Sequence, residues 1–207
     1  MGKYPDTPDR IRAVWDKLGG KEGVDRFLRN ELSVSEPTRS WREQDGVIYS
    51  SVTSNGTTGK GWIIRLKSND FHVSTHAKRV LRSPDFKPTN GVTTEIAILK
   101  GTIFEDNNRI TKKIRAFATE RKLLKPNAEL ACLIRLTFTD AEFETMGLCQ
   151  IVAMHEPIND YGNPSLLGAG PGGDWQWLSA YCGEPGRRWN RRSGFAFAVS
   201  QVIDDQS

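Results

Sequence analysis

The sequence predicts an α+β protein in two parts, a small N-terminal α+β domain over residues 1–88 and a second domain over residues 89–207. Three observations predict it. Apolar residues recur at helical spacing in some segments and as short strand-sized runs in others, and the two kinds do not alternate as regular βαβ units. The segment Pro84–Gly91 carries two prolines, an Asn-Gly pair and no periodicity, and so reads as a linker. Of 207 residues, 37% are hydrophobic and 26% charged, enough apolar material to bury a core without disulfides.

The elements follow in order. Thr7 is placed to cap a helix, with Pro8 and Asp9 in its first turn and Ile11, Val14, Trp15 and Leu18 forming one apolar stripe. Gly19-Gly20 ends it, and Glu22–Leu32 reads as a second helix with Val24, Phe27 and Leu28 inward. A packed helical hairpin is the preferred reading over a DNA-binding helix-turn-helix, which would have only Arg26, Arg29 and Asn30 to offer a groove. Val47–Val52 and Gly61–Leu66 read as strands of a hairpin connected through Asn55-Gly56, and Thr75–Leu81 as a short helix stopped near Ser83-Pro84. Beyond the linker, Val92–Phe104 is strand-like and Asn108–Leu123 is an amphipathic helix. Asn127 caps a helix over Ala128–Leu136, and Thr139-Asp-Ala-Glu142 is a capping box opening another that ends at Gly147. Leu148–His155 is a buried strand, Glu156–Gly173 a long Pro/Gly/Asn-rich loop, and Phe195–Val202 the closing strand.

Composition excludes several classes. No apolar run approaches the ~20 residues of a membrane-spanning helix. The opening residues show no secretory leader, and Asp6 stands where myristoylation favours Ser or Thr. Cys132, Cys149 and Cys182 are odd in number, widely spaced and without a C-x-x-C, which fits reduced thiols in a cytoplasmic protein with no membrane partner.

Three histidines are the first candidates for chemistry. His72 and His76 are spaced to share a metal on a helix but lack a third ligand, and His155-Glu156-Pro157 does not repeat the H-x-[ST] element of His72-Val73-Ser74. Gly168-Ala-Gly-Pro-Gly-Gly173 is a literal G-x-G-x-x-G, but Pro171 interrupts it and no long helix follows, so a flexible loop is the better reading. Nucleophile elbow, phosphate loop and paired carboxylates are all missing. The sequence therefore predicts no enzyme, no cofactor and no metal.

Gly170–Ser193 remains. Three of the six tryptophans, Trp175, Trp177 and Trp189, fall within fifteen residues there, beside the run Gly186-Arg-Arg-Trp-Asn-Arg-Arg192. Trp, Tyr and Arg with Ser, Gly and Asn are the palette of a binding surface. Residues 1–89 carry a net +5 and residues 90–207 a net −1, so those four arginines are a cationic patch on an acidic background.

The second half resembles the C-type-lectin-fold variable proteins of diversity-generating retroelements. The likeness runs from Val92 to Val202 and rests on the early strand Glu95–Leu99, two helical stretches, the strand Ile151–His155, then Trp177-Leu178, Ala180-Tyr181, Trp189 and the ending Gly194-Phe195-Ala196-Phe197. The resemblance implies a C-type-lectin-like domain: a mixed sheet, two main helices, long irregular loops, and a hypervariable region over about 169–197. It implies that Trp177, Leu178, Ala180, Tyr181, Trp189 and Phe195 hold the scaffold. Trp175, Gln176, Ser179, Cys182, Glu184, Arg187, Arg188, Asn190, Arg191, Arg192 and Ser193 would line a ligand-binding face for a protein or other macromolecule. Two alternatives stand beside it: a nucleic-acid-associated protein using the Arg187–Arg192 patch and the N-terminal helices, and a His-dependent hydrolase.

Overall fold

Asp45 and Gly46 both adopt positive φ, 51° and 74°, the geometry of a two-residue type I′ hairpin turn. They join strand β1 (Trp41–Gln44) to β2 (Val47–Asn55) with Gln44 paired to Val47. The hairpin is thus built here, one strand earlier than Asn55-Gly56 suggested. In the computed structural model, residues 40–172 and 175–200 are described continuously, and ahead of them residues 11, 12, 15, 18, 20–29 and 31; the side chains of Trp175 and Gln176 are not. The helix cap expected at Thr7, with Pro8, Asp9 and Val14, lies outside the described residues, as does Val202.

The chain divides into two compact units, Met1–Arg39 and Ser40–Ser207. In the first, helix α1 (Gly20–Leu28) replaces the expected Glu22–Leu32. Phe27 and Leu28, expected inward, stand exposed.

In the second unit the elements run α2 (Gly59–Ser68), β3 (His72–Val73), α3 (Thr75–Arg82), β4 (Asn90–Lys100) and a 3-10 turn (Gly101–Ile103). There follow α4 (Thr111–Glu120), β5 (Leu123–Leu124), α5 (Leu130–Thr137), α6 (Asp140–Thr145) and β6 (Gln150–Ala153). The chain ends through β7 (Ile158–Asp160), β8 (Asn163–Gly172), β9 (Trp175–Cys182) and β10 (Ser193–Val199). Among the described residues this is an α+β fold around one mixed ten-stranded sheet in the order β1-β2-β4-β10-β6-β8-β9-β3, with β5 on β10 and β7 on β8. Only β10 with β6 and β9 with β3 run parallel. Among these residues no helix is long and apolar enough to cross a membrane.

Gly61–Leu66, expected as a strand, is helical. The Thr58 hydroxyl accepts from Gly61 N–H as an N-cap, and Trp62, Ile63 and Leu66 turn inward while Ile64 is 69% exposed. A division at residue 88 would cut through the sheet, because β2 pairs with β4 from Val47↔Leu99 to Asn55↔Asn90. The supposed linker is tied down: Gly56 N–H donates to the Thr89 carbonyl, Phe86 is buried, and Thr89 N–H and Oγ1–H both reach the Glu129 carboxylate. The capping box at Thr139 and Glu142 is present in full; Asn127 Oδ1 accepts from Leu130 N–H, but the helix expected from Ala128 begins at Leu130 with Glu129 at its N-cap.

Strand alternation gives the sheet two apolar faces. Ile48, Ile96, Ile98, Ile151, Leu167, Ala169, Leu178 and Ala196 face α2, α3, α5 and α6. Their neighbours Val47, Ala97, Leu99, Val152, Leu166, Phe195 and Phe197 face α4, Phe104 and Trp189. Among the described residues of this unit the second face carries this one helix, and the sheet beyond it toward β9 is the ground on which the candidate site stands.

Candidate functional site

Glycine-rich Gly168–Gly172, expected as part of a flexible loop, is the second half of β8. It pairs with β9 in unbroken register from Ser165↔Cys182 to Gly172↔Trp175. The glycines are there for close approach. A Cβ on Gly168 would lie 2.9 Å from the Ile151 carbonyl oxygen and 2.8 Å from a Tyr181 ring carbon, and one on Gly170 would lie 2.6 Å from the Cys149 carbonyl oxygen. Gly170 stands opposite Trp177 and Gly168 opposite Ser179. On the face shared with α4, β8 therefore offers backbone opposite Trp177 and Ser179, while Tyr181, opposite Leu166, lays its ring over Gly168. The result is a shallow trough of about 380 Å³, closed at one side by Cys149 and Gln150.

Trp177 leans on the His72 ring, centroids 5.1 Å apart and tilted by 44°. Tyr181 meets Trp189 edge-on at 6.0 Å, and Trp189 meets Phe195 at 5.8 Å, so the trough is joined to the core by a run of aromatic contacts. Leu178 and Phe195 are wholly buried, Trp189 is nearly so, and Ala180 packs against the opposite core.

After β9 the chain enters the loop 183–192. Helix α4 has no side-chain N-cap; instead Thr111 N–H donates to the Arg187 carbonyl (3.1 Å) and Lys112 N–H to the Pro185 carbonyl (3.0 Å). Trp189 N–H donates to the Arg109 carbonyl, its indole N–H to Thr111 Oγ1, and Cys149 N–H to the Arg192 carbonyl at 2.8 Å. The backbone is held along its length. Glu184, Arg187, Arg188, Asn190, Arg191 and Arg192 all stand exposed on it, as does Cys182 at the end of β9. Arg187 lies over the Trp189 ring at 5.6 Å, and none of the four arginines is ion-paired with a described residue. Asn190 Oδ1 accepts from Arg192 N–H and so shapes the turn as well. Ser193 departs from expectation: it is fully buried, its hydroxyl accepting from Gln150 Nε2–H at 3.0 Å, and so belongs to the scaffold. Trp175 and Gln176 lie on β9, their side chains outside the description.

Comparison with protein-family models, with characterised proteins and with solved structures finds no match to this chain.

The histidines do not gather. His155 is buried; Leu167 N–H donates to its Nε2 (2.9 Å), so the proton sits on Nδ1, which donates to the Glu156 carbonyl. Burial lowers its pKa from the ordinary 6.5 to about 4. His76 is exposed, with Nδ1 2.6 Å from Oδ2 of the buried Asp160 and 2.7 Å from Arg79 Nη2. Arg79 also binds Asp160 through Nε at 2.6 Å and holds its carboxyl below the usual range. Among the described residues no group of three or more His, Cys, Asp or Glu side chains is arranged to hold a metal. Asp160, Gln150 and Cys149 escape a sequence reading because their partners lie far along the chain, 84 residues in the case of Asp160 and His76.

Proposed function

We propose that the chain is a recognition protein that binds a macromolecular ligand through the loop 183–192 and the adjoining trough, without bond chemistry. The observation that carries this reading is a loop whose main chain is fixed by hydrogen bonds to α4 and β6 while its charged side chains are left to solvent. Such a loop presents side chains at little ordering cost and accepts substitutions without loss of the core. In this reading the face is the hypervariable part of a C-type-lectin-like scaffold diversified by a retroelement. What supports it is the early strand β4, the helices α4 to α6, the strand β6, and a closing strand that begins at Ser193-Gly194-Phe195 and pairs with both β4 and β6.

The test is a library with Glu184, Arg187, Arg188, Arg191 and Arg192 randomised together. Each substitution is expected to change stability by no more than about 0.5 kcal/mol, and selection against an unrelated protein such as hen lysozyme should yield binders. Trp189→Ala, by contrast, should cost about 3–5 kcal/mol. A library that is largely unfolded would overturn the reading. So, for the retroelement part alone, would a locus with no reverse-transcriptase gene and no near-copy of the DNA for Gly170–Phe197 differing at adenines.

A second reading, a hydrolase, has one observation in its favour, the carboxylate-held His76. Its test is a screen of ester and phosphodiester substrates in which His76→Ala abolishes any turnover found.

A further inference from the structure

The trough and the arginines are two halves of one surface. Cys149 on the trough wall is hydrogen-bonded through its main chain to Arg192, and Tyr181 at the other end touches Trp189, over which Arg187 lies. The cationic loop therefore meets the trough at both of its ends; none of its arginines is ion-paired with a described acid, although Asp106 feels the charge of Arg191 and Glu184 stands on the same loop. The trough is floored by Gly170, opposite Trp177, and Gln150 keeps its amide oxygen uncommitted after donating to Ser193. The opening beside the indole is lined on β8 by Gly170, Pro171 and Gly172, and a flat ring can lie there against Trp177 with hydrogen-bonding groups, Ser179 and Gln150, at its edge.

We propose that the ligand of this face is a single-stranded nucleic acid, one base lying in the trough against Trp177 and the flanking phosphates meeting Arg187, Arg188, Arg191 and Arg192. The inference rests on the recognition reading above and names its ligand. Stacking of bases on aromatic side chains beside a cationic track is how sequence-tolerant single-strand binding is built. Arginine suits both parts, since its planar fork matches phosphate and stacks on rings. A chain of acidic residues alone would meet the same charges but has no flat ring to lie against Trp177, and a duplex keeps its bases stacked inside and unavailable to it.

The experiment is fluorescence anisotropy of the full chain with fluorescein-labelled dT20, rU20, a 20-base-pair duplex and a 20-residue poly-glutamate peptide. Binding of dT20 or rU20 is expected, with a log–log salt slope near −3 if all four arginines meet phosphates, hence about fiftyfold weaker at 200 mM than at 50 mM salt. Replacing the four arginines by alanine should remove binding and flatten the slope, circular dichroism verifying the fold. Trp177→Ala should weaken binding roughly 5- to 150-fold, while Trp177→Phe should retain most of the affinity and lose the tryptophan quenching caused by the stacked base. Absence of single-strand binding at 50 mM salt overturns the proposal, as does equal affinity for the duplex or indifference to Trp177. Loop-dependent binding of poly-glutamate without binding of either single strand overturns the nucleic-acid ligand while leaving the recognition face standing. Failure of the randomised library would instead remove the face itself.

Discussion

Glu129 has no solvent exposure, yet its carboxylate accepts from Trp62 Nε1–H, Thr89 N–H and Thr89 Oγ1–H. It joins α2, the segment before β4 and the start of α5. Glu129→Gln puts an amide donor against one of those donors, and the expected cost is about 1.5–3 kcal/mol in urea unfolding, as for hydrogen bonds to a charged group. Nothing local in the sequence marks this residue, whose partners are 67 and 40 residues away; the contact of Asn127 with Leu130 N–H, three residues on, was legible. His155 yields a pH prediction. Its folded pKa is below its unfolded one, so it contributes fully above about pH 6.5 and loses that contribution as pH falls toward 4. The loss should approach about 3 kcal/mol across that window, visible as a falling urea midpoint that His155→Gln flattens.

At the scale of elements, the capping box and the helical periodicity of Thr111–Glu120 were legible because helix signals are contained within a few residues. Two segments were not. Ile63-Ile64 argues for a strand, but the choice is made by the Thr58 cap and by the site that receives Trp62 and Leu66. Gly168–Gly172 has the composition of a loop, and becomes strand because bare backbone is what fits against Ile151, Cys149 and Tyr181. Gly170→Ala is therefore expected to destabilise by about 1–3 kcal/mol, the range for forcing extra volume into a packed position, and to distort the trough. Thermal unfolding of Gly170→Ala beside an exposed control, Gly186→Ala, whose Cβ meets nothing within 4 Å, separates the close approach from a general glycine effect.

For the molecule as a whole, the α+β class was legible in the sequence and the domain boundary was not, since Pro84–Gly91 looks unstructured until the distant Glu129 and Gly56 bind it. The exposed arginines of the site were legible from charge density alone; the trough beside them depends on strand register and was not. Residues 40–207 expressed alone should unfold in one cooperative urea transition, whereas residues 89–207 should give none, having lost β1–β3, α2 and α3. The position of β10 has one more consequence, for synthesis on the ribosome. Residues 193–199 are made after every other described strand, yet they occupy the sheet's middle, between β4 and β6. Until they emerge, the nascent chain holds two half-sheets with open facing edges, a form that invites wrong partners and chaperones. A chain arrested after Arg192 should accordingly accumulate in the insoluble fraction, and slow translation of the final stretch should lower the yield of native protein more than the same delay placed earlier.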